Sequence, residues 1–278
     1  MTGTPYDPVS LDVAKRQVHD FWNEASCGED LLLSAADRDG YRSQSAERYR
    51  LEPFIPTFAD FSATRDKTVL EIGVGLGADH QCFAEAGAVL TGIDLTERAV
   101  EHTRRRFALF GLSSALEVGD AEKLRFADRS FDVVYSWGVL HHSPDTPQAV
   151  SEVYRVLKPG GKALVMIYQK WSMVGAMLWI RYGLLVGKPW RNLRSIYAEH
   201  LESPGTKAYS HTEARALFKN FSSVQISSPL SHGDLLNSEV GQRHRGLALR
   251  VAKAIWPRWL IRRFLPSAGL FMMIQAVK

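Results

Sequence analysis

Three glycines on alternate positions limit what this chain can fold into more than any other feature. Gly73, Gly75 and Gly77 lie in the stretch VLEIGVGLGADH, between an apolar run and residues that favour a helix. Because each glycine costs conformational entropy on folding, the loop must need a backbone that comes close to another group. Such a loop, between a buried parallel strand and a helix N-terminus, typically contacts a ligand at the carboxyl edge of a sheet.

Strand and helix patterns alternate on both sides of this loop. Apolar runs predict strands at 68–72, 88–93, 115–118, 131–136 and 162–168, and helical patterns predict helices at 78–86, 97–110 and 146–157. This alternation indicates βαβ units and a parallel sheet, and hence an α/β fold. The alternation of strands and helices ends after Tyr168. Beyond it, the sequence predicts a helix at 212–220 and strands at 224–227 and 270–277.

The chain is expected to fold as one unit with additions at both ends, since we find no repeat, low-complexity tract or obvious linker. Residues 1–65 are predicted to form an N-terminal helical lid, with one helix capped by Ser10 and a second helical stretch at 44–61. Residues 66–169 are predicted to form the core. Residues 170–278 would add a helical cap and the last two strands of the sheet.

Composition narrows the class of protein. The N-terminus has no apolar segment behind a basic start, so we expect no signal peptide and a cytoplasmic location. Cys27 and Cys82 are far apart and in no CxxC arrangement, which excludes a zinc cluster or disulfide framework on spacing alone. No metal is therefore expected. Eight Lys or Arg and no acid lie in 241–278, whereas the whole chain has a formal net charge of +4.

The glycines alone leave two cofactor classes open, because they also satisfy the looser G-x-G-x-x-G/A dinucleotide fingerprint. Asp94, which ends the second strand, could accept hydrogen bonds from ribose hydroxyls in either class. Glu71 lies two residues before the first glycine. A carboxylate there would repel a pyrophosphate and favour a cationic aminoacyl group.

Four motifs together resemble the class I S-adenosylmethionine-dependent methyltransferases, in the subgroup similar to the ubiquinone/menaquinone C-methylases and sugar O-methyltransferases. They are VLEIGVGLG, TGIDLT, VGDAEKLRFADRSFDVVYSWGVLHH and RVLKPGG, in family order between about Lys67 and Tyr168. The resemblance implies S-adenosylmethionine as the cofactor. It also implies a Rossmann-like, seven-stranded, mostly parallel sheet with an antiparallel last strand, an N-terminal helical lid and C-terminal helical insertions.

The same resemblance assigns cofactor-binding positions residue by residue. Expected at the cofactor are Glu71, Gly73, Gly75 and Gly77 in the loop, Asp94 and Leu95 at the ribose, Asp120 and Ala121 at the adenine, and Ser136 and Trp137 near the methionine portion. A carboxylate can accept from the exocyclic amine of adenine while the next backbone N–H donates to a ring nitrogen. This pairing would recognise adenine specifically.

His141 and His142 follow the fourth strand, at the sheet edge where a methyl group would be presented. Histidine suits a general base for a hydroxyl or an acidic carbon. In similar sugar O-methyltransferases, a histidine of this LHH segment acts as the base, paired with an aspartate at the end of the next strand. Here that strand ends in Met-Ile-Tyr-Gln, so Tyr168 is the candidate to orient an acceptor hydroxyl. Alternatively, the histidines only hold the loop by hydrogen bonds.

The C-terminal region indicates what the acceptor is like. Five of the seven tryptophans follow the fifth strand, in stretches with Lys or Arg and no acid: Trp171, Trp179, Trp190, Trp256 and Trp259. This mixture suits a membrane surface, although we prefer a helical cap over a hydrophobic acceptor, and the two are compatible.

We therefore expect methyl transfer to a small, hydrophobic or lipid-linked acceptor, with oxygen, nitrogen or carbon as the acceptor atom left open. One alternative is a membrane-peripheral protein that binds S-adenosylmethionine without turnover. Another is an RNA methyltransferase, which is disfavoured because the basic residues are interleaved with apolar runs.

Overall fold

The computed structural model describes residues 8–237, 253–254 and 256–278. Seven strands form one sheet: β1 Thr68–Ile72, β2 Val89–Asp94, β3 Ala115–Val118, β4 Phe131–Trp137, β5 Leu157–Tyr168, β6 Ser223–Ser227 and β7 Phe271–Val277. Their order is β3-β2-β1-β4-β5-β7-β6. Strands β1 to β5 run parallel, and β7 is antiparallel to both β5 and β6. The predicted seven-stranded sheet with an antiparallel last strand is confirmed.

Helices surround this sheet and precede it. They are α1 Pro8–Glu24, α2 Glu29–Leu32, α3 Arg38–Leu51, α4 Ile55–Ala59, α5 Ala78–Glu85, α6 Glu97–Phe110, α7 Thr146–Val156, α8 Met173–Trp179, α9 Leu193–His200, α10 His211–Leu217 and α11 Arg258–Phe264. A 3-10 turn covers Phe61–Thr64 and a π-helical turn covers Ile180–Leu184. Among these described helices, none combines the length and apolar character needed to cross a bilayer.

Apolar clusters cover both faces of the sheet. Leu70 and Val134 pack in one cluster with Val153 of α7, whereas their neighbours Val69 and Val133 belong to the other. Successive strand residues point to opposite faces, so a strand buried on both faces needs a continuous apolar run. This explains why apolar residues stand on consecutive positions in β1, at Val69 and Leu70, and in β4, at Val133 and Val134.

The N-terminal helices differ from their predicted bounds. Because α1 begins at Pro8, Ser10 lies inside the helix and not at its cap. The stretch predicted at 44–61 begins earlier, where the Asp37 side chain caps α3 by accepting from the Gly40 backbone N–H at 2.8 Å. It then divides into α3, α4 and the 3-10 turn.

Two further features concern the second half of the chain. Strand β5 begins at Leu157, and its register against β4 shifts between Phe131 and Val133. The KPGG residues of the RVLKPGG motif, at 158–161, fall within this irregular part, so the strand predicted at 162–168 begins earlier than expected. Of the basic residues counted near the C-terminus, Arg243, Arg245 and Arg250 lie outside the described residues.

The strand order determines where a ligand can bind. β1 pairs with β2 on one side and with β4 on the other, so the chain changes direction across the sheet at β1. The loops after β1 and β4 therefore diverge and leave a crevice at the carboxyl edge, as in other open α/β sheets.

Candidate active site

A cavity of about 240 Å³ occupies this crevice. Most residues that the sequence predicted for the site line its wall: Glu71, Gly73, Gly75, Gly77, Asp94, Leu95, Asp120, Ala121, Trp137, His142 and Tyr168. His141 and Ser136 do not. Further parts of the wall come from α1, α3 and the segment after α9.

The glycine loop needs its glycines for different reasons. Gly73 has a φ of 86°, and a Cβ there would lie 2.1 Å from Cγ2 of Val139. Gly75 has a φ of 51°, but a Cβ there would meet no atom within 4 Å. Since L-residues rarely adopt these conformations, both positions favour glycine, and Gly75 also leaves space beside the cavity.

Asp94 ties the end of β2 to the glycine loop. Its carboxylate accepts hydrogen bonds from the backbone N–H groups of Gly75 at 3.2 Å and Thr96 at 3.0 Å, and from the Thr96 hydroxyl at 2.9 Å. Burial raises the pKa of Asp94, while these hydrogen bonds act in the opposite direction. The carboxylate is thus held at the cavity by the loop that it supports.

Asp120, after β3, is covered by the N-terminal helix. Nζ of Lys15 on α1 lies 2.6 Å from Oδ2 of Asp120 and 2.7 Å from Oε2 of Glu122. Trp22, two turns further along the same face of α1, packs edge-on against His142 with ring centroids 5.4 Å apart. Helix α1 therefore spans the cavity from its Asp120 end to its His142 end.

Glu71 has a partner inside the protein. Its Oε2 lies 2.8 Å from Nδ1 of His80, whose Nε2 lies 2.8 Å from the hydroxyl of Ser114. That hydroxyl donates to the Leu90 carbonyl at 3.1 Å, so it accepts from Nε2. Burial raises the pKa of Glu71 well above its ordinary value and lowers the pKa of His80 to about 3. Both pKa shifts favour the neutral forms of the two side chains, so that the Glu71 carboxyl group donates to Nδ1 of His80. The sequence had instead suggested that Glu71 is an anion.

His142 is the member of the histidine pair that reaches the cavity. Its Nδ1 lies 2.8 Å from the Ser203 hydroxyl and 3.1 Å from the Thr206 hydroxyl. Its Nε2 lies 3.3 Å from Oε2 of Glu202, and the same oxygen accepts a hydrogen bond from the Tyr168 hydroxyl at 2.8 Å. The sequence therefore correctly placed Tyr168 near this histidine, but the carboxylate comes from outside the predicted motifs.

His141 and Ser136 are turned away from the cavity wall. The His141 ring is fully buried, with ring centroids 4.2 Å from His142 and 4.0 Å from Tyr168. Burial lowers its pKa well below the ordinary value. The Ser136 hydroxyl donates to the Ile72 carbonyl at 3.1 Å and so links β4 to β1. Alternation along β4 explains this, because Trp137 on the neighbouring position faces the cavity.

Among the wall residues that had no place in the sequence prediction are Lys15, Trp22, Arg48 and Glu202. Arg48 on α3 forms an ion pair with Asp79 of α5 at 2.7 Å. Helical periodicity could have placed Trp22 one turn after Val18, on the inner face of α1. Nothing in the local sequence distinguishes Glu202 from an ordinary surface glutamate.

A metal ion is the other ligand that this cluster could hold. His141, His142 and Glu202 each bring one ligand atom to within 4.8 Å of the other two. Tetrahedral ligands at about 2.0–2.2 Å from a metal would lie roughly 3.5 Å apart. Nε2 of His142 and Oε2 of Glu202 already meet this spacing, at 3.3 Å.

The residues present fit a nucleoside joined to an amino acid. Asp94 ends β2 and Asp120 follows the neighbouring strand β3, so the two acids could hold a ribose and an adenine side by side. The open position at Gly75 leaves room for a ligand beside them. In the conformation described, Asp120 already has Lys15 as a partner, so an adenine that binds there would have to displace or share this contact.

Comparison with known proteins agrees with this geometry. Residues 70–165 match the family model described as a methyltransferase domain. The demethylmenaquinone methyltransferase of Desulfitobacterium hafniense is 28% identical, over 67% of this chain and 73% of the relative. Phosphoethanolamine N-methyltransferase 2 of Caenorhabditis elegans is 37% identical, over 42% of this chain but only 26% of its own length.

A solved S-adenosylmethionine dependent methyltransferase from Mesorhizobium loti shares the fold, with a TM-score of 0.51 at 17% identity. The alignment covers 81% of this chain and 97% of that one. The sheet order, the match of residues 70–165 to a methyltransferase domain and these relatives support the predicted resemblance to the class I S-adenosylmethionine-dependent methyltransferases.

Proposed function

We propose that the chain transfers a methyl group from S-adenosylmethionine to a small, hydrophobic or lipid-linked acceptor. One observation carries this proposal: a single cavity joins the acids after β2 and β3 to His142, Tyr168 and Glu202. When bound, S-adenosylmethionine supplies a reactive methyl group. The protein then needs only to hold the acceptor in line with it and to exclude water.

The cofactor half of the cavity would use the residues that the resemblance assigned. Asp94 with Leu95 would hold the ribose, and Asp120 with the backbone of Ala121 would hold the adenine. Glu71, the three glycines and Trp137 would surround the methionine portion. Ser136 would act only through the β1 to β4 connection. Residues 66–169 would thus supply the cofactor site, and the segments 1–65 and 170–278 would close it.

At the acceptor half, His142 is the better candidate for a general base. It faces the cavity, whereas His141 is enclosed and would support Tyr168 and His142 by packing. Tyr168 would orient the acceptor through its hydroxyl. Aromatic rings of Trp22, Trp137 and Phe271 also line the wall, which favours an apolar acceptor.

Cofactor binding tests the first half of this proposal. Asp94→Asn removes the charge that would accept from the ribose, and a hydrogen bond to a charged group contributes about 1.5–3 kcal/mol. We expect calorimetry to show affinity for S-adenosylmethionine roughly 10- to 100-fold weaker. Asp132→Asn is the control. It removes an acid near the start of β4 that binds Lys158 and Thr68, so it should leave the affinity unchanged.

Turnover tests the second half. Incubation with methyl-labelled cofactor and an extract of the source organism, separated into lipid, small-molecule and RNA fractions, should label a lipid or small molecule. Label in RNA would contradict the proposed acceptor. Cofactor binding without label in any fraction would favour the alternative of a binding protein without turnover. Tighter binding of NAD than of S-adenosylmethionine would contradict the assignment as a whole.

A further inference from the structure

Two oxygens of the cavity wall carry an inference that rests on the proposed methyl transfer and names the chemical class of its acceptor. We propose that the acceptor is an amine with an apolar chain, and that the carboxylate of Glu52 binds its nitrogen beside the aromatic rings of the wall. The methylated atom would then be nitrogen.

The two oxygens are buried and lack a hydrogen-bond partner. Most buried polar atoms in a folded protein have one, so each exception needs an explanation. Within the described part of the chain, Oγ of Ser26 and Oε2 of Glu52 are such exceptions, and both residues line the cavity. Ser26 is only 3% exposed. Because each oxygen can accept a hydrogen bond, a ligand with N–H donors could bind both.

Arg48 contributes a positive charge near Glu52 but binds another acid. Its guanidinium donates to both carboxylate oxygens of Asp79, at 2.7 and 3.3 Å, whereas its Nη1 lies 3.7 Å from Oε2 of Glu52. That separation is too long for a hydrogen bond. Burial raises the pKa of Glu52 despite the nearby guanidinium, and the negative charge of Glu202 adds to this effect. A cationic group in the cavity would offset both influences.

Glu52 lies at the acceptor half of the cavity. Burial raises the pKa of Tyr168 well above its ordinary value, and the charges of Glu202 and Glu52 both add to this rise. The Tyr168 hydroxyl also donates to Glu202 at 2.8 Å. Two carboxylates therefore act on this end of the cavity, where a positive charge on a ligand would be favoured.

Aromatic rings line the same end of the cavity. The centroid of the Phe271 ring lies 6.1 Å from that of Trp137 and 6.0 Å from that of Tyr168. The face of such a ring attracts a cation within about 6 Å, and the attraction increases when water is excluded. An alcohol would gain much less from these rings and carboxylates, and an anionic group would be repelled by the carboxylates.

Methyl transfer itself places a positive charge on the acceptor nitrogen. The uncharged amine attacks with its lone pair, a nitrogen–carbon bond forms, and the carbon–sulfur bond breaks with its electron pair left on sulfur. The positive charge of the sulfonium thus passes to nitrogen. A carboxylate beside that nitrogen favours the charged product. An amine that arrives as an ammonium ion first loses its proton to water.

The first test compares four head groups on one alkyl chain. With the cofactor site filled by S-adenosylhomocysteine, calorimetry measures the binding of octylamine, octyltrimethylammonium, octanol and octanoate. We expect both cations to bind roughly 10-fold tighter than octanol, and octanoate to bind most weakly. Octanol that binds as tightly as the cations would overturn the inference, and so would cations that do not bind at all. Either result would leave methyl transfer to another kind of acceptor in place.

The second test removes the charge of Glu52. Glu52→Gln should lose the roughly 10-fold preference for the cations and should bind octanol as before. Its affinity for S-adenosylhomocysteine should be kept. Glu47→Gln is the matched control, since Glu47 lies on the same helix and forms an ion pair with Arg50 at the surface. It should change neither affinity.

Two results with Glu52→Gln would overturn the inference. One is an unchanged preference for the cations, and the other is weaker binding of S-adenosylhomocysteine, because Glu52 would then belong to the cofactor site. Turnover by the unaltered protein gives an independent measurement: the label should be found on a nitrogen, and label on oxygen or carbon would overturn the inference. Absence of S-adenosylmethionine binding in the wild type would instead contradict the proposed function.

Discussion

At the scale of single residues, the cavity depends on glycines in left-handed backbone conformations and on a buried acid that is held by hydrogen bonds. Gly73 lacks space and Gly75 has it, although both adopt positive φ. Asp94 holds the same loop by one hydrogen bond, from the Gly75 backbone N–H, and also accepts from the Thr96 backbone N–H. We therefore expect Gly73 to be needed for folding and Gly75 to be needed for ligand binding.

This separation gives a paired prediction. Gly73→Ala combines a strained backbone, which costs about 1–3 kcal/mol, with a clash against Val139, so it should lower Tm strongly or prevent folding. Gly75→Ala bears only the backbone strain and should fold, but its methyl group would enter the ligand space and weaken S-adenosylmethionine binding. Thermal unfolding and calorimetry distinguish the two. Equal Tm values for both variants would show that Val139 gives way.

The sequence predicted more of the cavity wall after β1, β2 and β3 than of the wall around His142. Glycines, Asp94 and Asp120 follow strands directly, so strand prediction alone places them at one edge. In the pairs Ser136–Trp137 and His141–His142, only one residue faces the cavity. The sequence did not show which of the two does, because this depends on the direction of the side chains. Glu202 reaches His142 across 60 positions of the chain through an insertion without a repeated pattern, so only the folded structure brings them together.

At the scale of elements, the N-terminal helices are attached to α6 by polar contacts. The Arg98 guanidinium donates to both oxygens of Glu29, which begins α2, at 2.6 and 2.7 Å. On the same helix, the buried guanidinium of Arg106 donates to Gln44 of α3 at 2.8 Å and to the Leu76 carbonyl at 3.0 Å. Helix α6 therefore joins the predicted lid to the glycine loop.

Glu29 makes one of these attachments dependent on pH. The hydrogen bonds from Arg98 lower the pKa of Glu29 from 4.5 to about 2. A carboxyl group with a depressed pKa in the folded state stabilises that state above its ordinary pKa, and this contribution is lost as the pH falls towards the depressed value. The Tm difference between wild type and Glu29→Gln should therefore be largest above pH 4.5 and should shrink towards about pH 2.

Glu24→Gln is the matched control for this measurement, since Glu24 is exposed at the end of α1. It should change Tm little at any pH. A Tm difference for Glu29→Gln that does not vary with pH would mean that packing of α2, and not the ion pair with Arg98, determines its contribution.

At the scale of the whole molecule, large apolar side chains are exposed on the C-terminal additions. Leu185 is 75% exposed, Trp190 77%, Trp259 72% and Phe264 66%. No acid occurs in 169–198 or in 256–278, whereas basic residues accompany both groups. Exposed aromatic rings with basic neighbours are typical of proteins that bind the surface of an anionic membrane.

Vesicle co-sedimentation tests this surface. Binding should require anionic lipid and should weaken as salt rises, because the Debye length shortens from about 10 Å at 0.1 M to about 3 Å at 1 M. Trp190→Ser and Trp259→Ser should each weaken binding, whereas Trp179→Phe, at a position packed against the core, should not. Binding that neither salt nor lipid charge affects would contradict the electrostatic part of this hypothesis.

The origin of Glu202 has a consequence for how such an enzyme could be redirected. The proposed cofactor site lies within residues 66–169, while the carboxylate and the hydroxyls that contact His142 lie within five consecutive residues, 202–206, after α9. Exchange of this short segment alone should change which acceptors are methylated and should leave the affinity for the cofactor intact. Acceptor specificity and cofactor binding could then be altered independently.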